Sequence, residues 1–319
     1  MSRVWRGVVD RLKHSDRALA LADRLGRSVG RVRALDGLID PPMSRRLDLA
    51  RLSRGDVGVG WVGHATMLIR LAGRWVLTDP VWSSRVGLGL GPLTLGPRRL
   101  QQPSLSMSRL PPIDIVLLSH AHFDHLDLPT LHRLAARQRP VVITAAGTGD
   151  LLRGLSFKRV IELEHGHAID VAGLRVTSVP VNHWTARAFS DTWRSASAYA
   201  IESAGQRLLF GGDTAMFDGF DNVGPVDLAM LGIGAYDPFR ASHATPEEAW
   251  TMATRMQAER VAAMHHATFR LSLEPVDEPL RRLIDVAGPE ADRVVIRRPG
   301  DVAFWSGGLL SGKKTCRSP

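Results

Sequence analysis

Residues 119–127 read SHAHFDHLD, setting His120, His122 and His125 beside Asp124 and Asp127 directly after the apolar run IDIVLL. A run of that length and composition is a strand buried on both faces. Imidazoles and carboxylates that follow such a strand into the interior need a compensating charge, and a metal ion supplies one. In extended chain, residues i and i+2 point to the same side, so His120 and His122 can grip one ion. The turn that follows can carry Asp124 and His125 to a second. The chain must therefore build a rigid strand that ends at a site, and bring further donors there from elsewhere.

The same arrangement recurs downstream. LRVTSVPVN runs into His183, QRLLFGG into Asp213, and ERVAAM into His265 and His266. Strand ends at one edge of a layered fold are a common place for a site on a rigid scaffold. The cluster at 120–125 reads as half of a two-metal site, with the other half supplied by these three later strand ends. Nitrogen and oxygen donors without thiolate suit two Zn²⁺ best, with Fe or Mn as alternatives. The one cysteine, Cys316, lies in the tail SGKKTCRSP, which excludes an intrachain disulfide and a Cys-based zinc site. His165 and His167 form another His-x-His pair in LEHGHAID, but they flank a turn without a carboxylate cluster and read as exposed strand-end residues.

The 319 residues, 44% hydrophobic and 23% charged, suit a globular α/β protein. Residues 1–55 are Arg-rich, with Val4, Trp5, Val8, Val9 and Leu12 at helical spacing. They read either as a helix packed on the main domain or as an interfacial membrane helix. Residues 56–306 form the main domain, and 307–319 a flexible tail. The main domain opens with a meander through Ala72-Gly73-Arg74. A long Gly/Pro-rich loop over 83–106 follows, whose Val86, Leu88, Leu90, Leu93 and Leu95 either pack on the core or line an apolar entrance. Strands and helices then alternate twice, giving a four-layer αββα sandwich in one domain. Neither a secretory signal nor an apolar run of membrane-spanning length is legible, so the expected location is cytoplasmic, with peripheral membrane contact as an option. The net charge of +9 is carried mostly by arginine. It reads first as solvated surface, then as affinity for anionic lipid or an anionic substrate, and least as nucleic-acid binding.

At these residues the sequence resembles the metallo-β-lactamase superfamily, whose signature is His-x-His-x-Asp-His followed by later His, Asp and His. The branch it resembles most contains N-acylphosphatidylethanolamine-hydrolysing phospholipase D. The shared stretches WVGHAT, LTDPVWSSR, GPRR, LPPIDIVLLSHAHFDHLD, NHW, FGGDT, IGAYDP, PEEA and MHHATF run in order over about residues 57–270. The resemblance implies a first metal on His120, His122, His183 and Asp213, and a second on Asp124, His125, Asp213 and His265, with Asp213 bridging. It favours His265 over His266, because the family's last histidine precedes a segment matched by HATF. It implies that Asp124 orients an attacking hydroxide held between the metals, and that His243, in ASHATPEEA, contacts the developing anion or leaving group. Asp79 and His64 would support ligand histidines from behind. The chain departs from the family in SDTWRSASAY after the His-Trp pair and in Ala215-Met216 after GDT.

The implied activity is hydrolysis of a phosphodiester, with N-acylphosphatidylethanolamine as the lipid candidate. A lactone or another soluble ester on the same metals is the alternative. A nuclease is disfavoured because the short stretch between Asp213 and His265 leaves no room for an inserted domain. A non-catalytic metal-binding protein is disfavoured by the full ligand set. A homodimer is an option, but the sequence marks no interface.

Overall fold

The computed structural model describes residues 41–90, 93–187 and 191–307; the helix expected over residues 1–40 and the tail beyond 307 lie outside the described residues. A short helix, α1 (Leu49–Leu52), is capped by Asp48, whose carboxylate accepts from the amides of Ala50 and Arg51. The meander β1 (Val57–Gly63), β2 (Thr66–Leu71) and β3 (Arg74–Thr78) follows. Then come the hairpin β4 (Leu88–Leu90) and β5 (Leu93–Leu95), strand β6 (Ile115–Leu118) and helix α2 (Leu128–Arg137). Next are β7 (Val141–Ala145), β8 (Arg159–Leu163), β9 (Ala168–Val171), β10 (Leu174–Pro180), β11 (Ser197–Ser203), β12 (Gln206–Phe210) and β13 (Leu228–Gly232). Helix α3 (Pro246–Arg255), β14 (Val261–Met264), α4 (Glu278–Ala287), β15 (Val294–Ile296) and β16 (Val302–Trp305) complete the fold.

Two seven-stranded sheets result, ordered β16-β1-β2-β3-β6-β7-β8 and β15-β14-β13-β12-β11-β10-β9. Alternation along a single strand builds the layers. Ile115 and Leu117 of β6 join the core between the sheets, with Trp61, Met67, Tyr199, Phe210 and Met230. Val116 and Leu118 pack on the other face, against Leu131 and Leu134 of α2. The second sheet turns Ala229, Leu231 and Ala263 to Trp250 and Met252 of α3 and Leu283 of α4. Helix α3 starts at a capping box, in which Thr245 and Glu248 satisfy each other's backbone amides, with Pro246 in the first turn. The architecture is the expected four-layer αββα sandwich.

Strand direction places the site. β3 and β6 are parallel, and β1 runs the same way because β2 reverses twice between β1 and β3. In the other sheet β12, β13 and β14 are parallel, and β10 shares their direction across the antiparallel β11. The residues that follow the C-terminal ends of β1, β3, β6, β10, β12 and β14 are those of the metal-type motifs.

Three features differ from the sequence reading. The loop over 83–106 contains the β4–β5 hairpin, on which Leu88 and Leu95 pair across the strands and are exposed, whereas Val86 is buried with Val81 and Phe269. Gly/Pro punctuation hid a pairing of only three residues per strand. Strands β15 and β16 are likewise too short to read as periodicity. The packed body also takes in residues ahead of Asp56: Leu47 and Leu52 are fully buried against Val62 and Leu68. Among the described residues no helix is long and apolar enough to cross a membrane.

Burial of Leu52 generates a prediction about the boundary at residue 55. Leu52→Ala should cost about 2–5 kcal/mol in urea unfolding. A loss under about 1 kcal/mol would mean that α1 is dispensable to this core.

Candidate metal centre

Asp213 is the hub. It follows β12 through Gly211-Gly212, and Gly212 holds φ +56° with its Cα facing Ser119; a side-chain carbon there would lie 2.8 Å from Ser119 Cβ. The buried Oδ2 of Asp213 lies 3.1 Å from His125 Nε2, 3.2 Å from His265 Nε2, 3.8 Å from His120 Nε2, 3.9 Å from His183 Nε2 and 3.8 Å from His243 Nδ1.

Two groups of donors stand around this carboxylate. In one, His122 Nδ1 lies 2.9 Å from His120 Nε2 and 3.3 Å from His183 Nε2. In the other, Asp124 Oδ2 lies 3.4 Å from His125 Nε2 and 3.5 Å from His265 Nε2. The donor atoms of His120, His122 and His183 lie within 4.8 Å of one another, as do those of His64, Asp124, His125 and His265. The structure therefore brings together His120, His122, Asp124, His125, His183, Asp213, His243 and His265. His266 instead packs its ring on Trp61, at 4.9 Å. His165 and His167 are exposed in the turn between β8 and β9.

The groups behind the donors fix their tautomers. His125 Nδ1–H donates to Asp79 Oδ2 at 2.6 Å. Asp79 Oδ2 also accepts from Ser119 Oγ at 2.6 Å, and that oxygen lies 2.9 Å from His120 Nδ1, so one buried carboxylate orients two imidazoles. His183 Nδ1–H donates to the Ser242 carbonyl at 2.8 Å. In each case Nε2 is left for the site. His64 differs from the expectation that it backs a histidine: its Nε2–H donates to Asp124 Oδ2 at 2.8 Å. His64 itself is held at φ +56°, and its carbonyl accepts from Trp61 Nε1 at 2.7 Å and from the His265 amide at 3.1 Å.

Sequence reasoning missed Ser119, which relays from Asp79 to His120, and the Ser242 carbonyl. Ser119 was readable in principle, as the residue between the strand and the first histidine. A backbone carbonyl carries no sequence signal.

The donors fit a metal. His125 Nε2, His265 Nε2 and Asp213 Oδ1 are buried with no hydrogen-bond partner among the described residues. Ring nitrogens that face each other across 2.9 and 3.3 Å resemble ligands sharing an ion, since donors ~2.0–2.1 Å from a tetrahedral zinc lie about 3.3 Å apart.

Charge is distributed accordingly in the metal-free chain. Burial drives His120 well below the usual imidazole range, and likewise lowers His122 to about 4 and His64 and His243 to about 3. Burial also pulls on His125 and His265, but Asp213 and Asp124 outweigh it. His125 is raised well above its ordinary value and His265 to about 9. Burial would raise the Asp213 and Asp124 carboxyls, yet the facing His125 holds both well below the carboxylate range, helped by His265.

A model for a beta-lactamase superfamily domain matches residues 74–266. An uncharacterized protein of Mycobacterium tuberculosis is 36% identical over 260 residues, covering 77% of this chain and 69% of that one. N-acyl-phosphatidylethanolamine-hydrolyzing phospholipase D 1 of Caenorhabditis elegans is 30% identical over 249 residues, covering 70% and 69%. Among solved structures, a metallo hydrolase from Ignicoccus hospitalis superposes with a TM-score of 0.58 at 20% identity, covering 77% of this chain and 97% of that one.

His265 keeps its proton up to about pH 9, against 6.5 for an unperturbed imidazole. Its pairing with Asp213 and Asp124 thus stabilises the metal-free fold fully below pH 6.5 and is lost as the pH rises through about 9. A divalent ion among these donors must displace the protons of His125 and His265. Loading the metal-free protein with Zn²⁺ at pH 7 should release about two protons, and affinity should fall as the pH is lowered. Calorimetry in buffers of different ionisation enthalpy measures this; no release would show both imidazoles neutral beforehand. Asp79→Asn should weaken metal binding roughly 10–100-fold, as read by chelator competition.

Proposed function

The chain belongs to the metallo-β-lactamase superfamily, in the branch resembling N-acylphosphatidylethanolamine-hydrolysing phospholipase D, and is a metal-dependent hydrolase; from that premise we propose that it uses two metal ions, best Zn²⁺, to cleave the phosphodiester of a phospholipid such as N-acylphosphatidylethanolamine. The observation that carries the two-ion reading is the position of Asp213 between two sets of donors, His120, His122 and His183 on one side and Asp124, His125 and His265 on the other. Two such ions supply a nucleophile at neutral pH and neutralise the charge that develops on the ester.

The remaining work falls to the side chains. Asp124, tied at Oδ2 to His64, is held where its carboxylate can orient the attacking water. His243 stands 5.1 Å from His183 and 5.3 Å from His265, ring to ring, and is partly open to solvent. Lowered by burial to about 3, it is a neutral imidazole at pH 7. Its role is to donate a hydrogen bond to the developing anion or leaving oxygen, not to deliver a proton.

The loops at this edge support a lipid substrate. Leu88, Leu95, Trp184, Trp193, Phe239 and Leu273 are large, apolar and exposed. The base of the β4–β5 hairpin packs Val86 and Phe269 beside Phe123 of the motif turn, and Trp184 meets His122 edge-on at 4.8 Å. Arg240 and Arg270 are exposed among them. An apolar rim with arginines suits contact with an anionic lipid surface, in keeping with peripheral membrane association.

The test is hydrolysis of N-acylphosphatidylethanolamine in mixed micelles by the metal-loaded protein, with products identified by mass spectrometry. Phosphatidic acid and an N-acylethanolamine are expected. Turnover of a soluble ester or lactone alone would keep the metals and discard the lipid. Asp213→Ala should lose both metals and nearly all activity, and Asp124→Asn should keep the ion on the His120 side while crippling turnover. Two metals per chain in Asp213→Ala, by elemental analysis, would refute the bridging role. His243→Ala should lower kcat roughly 10²–10³-fold, with no imidazole titration of His243 between pH 5 and 8.

A further inference from the structure

The segment from His183 to Arg187 does more than deliver one imidazole. Thr185 Oγ1 accepts from the amide of Ala121 at 3.1 Å. Arg187 Nη1 donates to the carbonyls of Ala121, at 3.2 Å, and Leu126, at 2.7 Å. Its guanidinium carbon sits 3.9 Å over the ring of Phe123. These two carbonyls are the ends of the turn that carries His122, Asp124 and His125. The turn's interior is closed by the His122 carbonyl, which accepts from the amides of His125 at 3.1 Å and Leu126 at 2.9 Å. One segment of the second sheet therefore satisfies the outward backbone groups of the motif turn, and the same segment carries His183.

This is a costly use of an arginine. Burial lowers its pKa to about 10, against the pull of Asp127 and Asp124. A half-buried cation bonded to carbonyls suits a place where geometry is at stake, because the planar guanidinium can bond two oxygens and stack on a ring at once. Lysine offers a point charge without the plane.

We propose that Arg187 is a positioning residue that sets the spacing of the metal-ligand turn: it pins both ends of residues 121–126 to the segment bearing His183, so that His125 meets Asp213, and Asp124 meets His125 and His265, at the distances of shared ligands. The proposal rests on the two-ion reading of the site. It predicts an asymmetric effect. His120 is the strand-end residue backed by Ser119, and His183 is fixed by the Ser242 carbonyl, so two of the three histidines on the His120 side keep their supports without Arg187. The Asp124 side loses more, because both Asp124 and His125 lie between the two pinned carbonyls, against His122 alone on the other side.

The experiment titrates the full-length metal-free protein with Zn²⁺ alone against a chromophoric chelator, so the identity of the substrate does not enter. The affinity step lost in Asp124→Asn marks the Asp124-side ion. In Arg187→Ala that step should weaken roughly 10–100-fold, with the other within about threefold and millimolar methylguanidine restoring part of the loss. Arg187→Lys, which keeps the charge, should fall between, and it carries the test if Arg187→Ala does not fold. Equal weakening of both steps without response to methylguanidine, or no change in either variant, overturns the proposal. If the parent takes up a single Zn²⁺, the two-ion reading fails on its own, and the proposal then stands or falls on the methylguanidine-reversible weakening of that one ion.

Discussion

Everything in this structure is arranged around a carboxylate that cannot be left alone. Asp213 is buried, and one of its oxygens has five imidazole nitrogens between 3.1 and 3.9 Å away. A bare carboxylate in such a place would be ruinous, and so would five bare imidazoles facing one another. Positive charge has to be present. Without metal it comes as protons on His125 and His265, the two rings nearest Asp213. With metal it would come as the ion, which the same nitrogens would hold. The site exchanges one cation for another, which couples metal affinity to pH.

Holding that many like groups at fixed distances requires a scaffold stiffer than loops alone provide. The sheets provide it, since the donors follow strand ends directly. Backbone strain is found there too. His64, Asp79 and His265 all have left-handed φ, at 56°, 30° and 59°, a conformation with a cost of about 1–3 kcal/mol for each such residue. Each is over-determined by its neighbours. Asp79 is tied to the Ser119 amide and hydroxyl and to His125. The carbonyl of His64 holds both Trp61 and the His265 amide. His64 and His265 therefore brace each other and link the two sheets.

Function follows from asymmetry around this frame. The interior side of the cluster is closed by Asp79, Ser119 and Trp61, which orient ligands and admit no substrate. The outer side is edged by apolar side chains on long loops, where tolerance to change is highest. Of the stretch DTWRSASAY, Trp193 is exposed on this side, whereas Ser197, Ala198 and Tyr199 are buried in β11.

The motif residues were legible in sequence because a buried strand that runs into His120, His122, Asp124 and His125 has few other physical explanations. The four-layer fold was legible because strands such as IDIVLL feed both faces, and because Thr245 and Pro246 announce a helix. The assignment of Asp79 as a supporting group came with the family resemblance. What the sequence left open depended on distances between segments far apart in the chain. That His64 serves Asp124, that Ser119 passes the influence of Asp79 to His120, and that Arg187 spans Ala121 and Leu126 are facts of tertiary contact. Backbone carbonyls and short strands such as β15 and β16 leave no mark in composition or period. Sequence specified which groups need a cation; only the meeting of the two sheets decided which atoms face it.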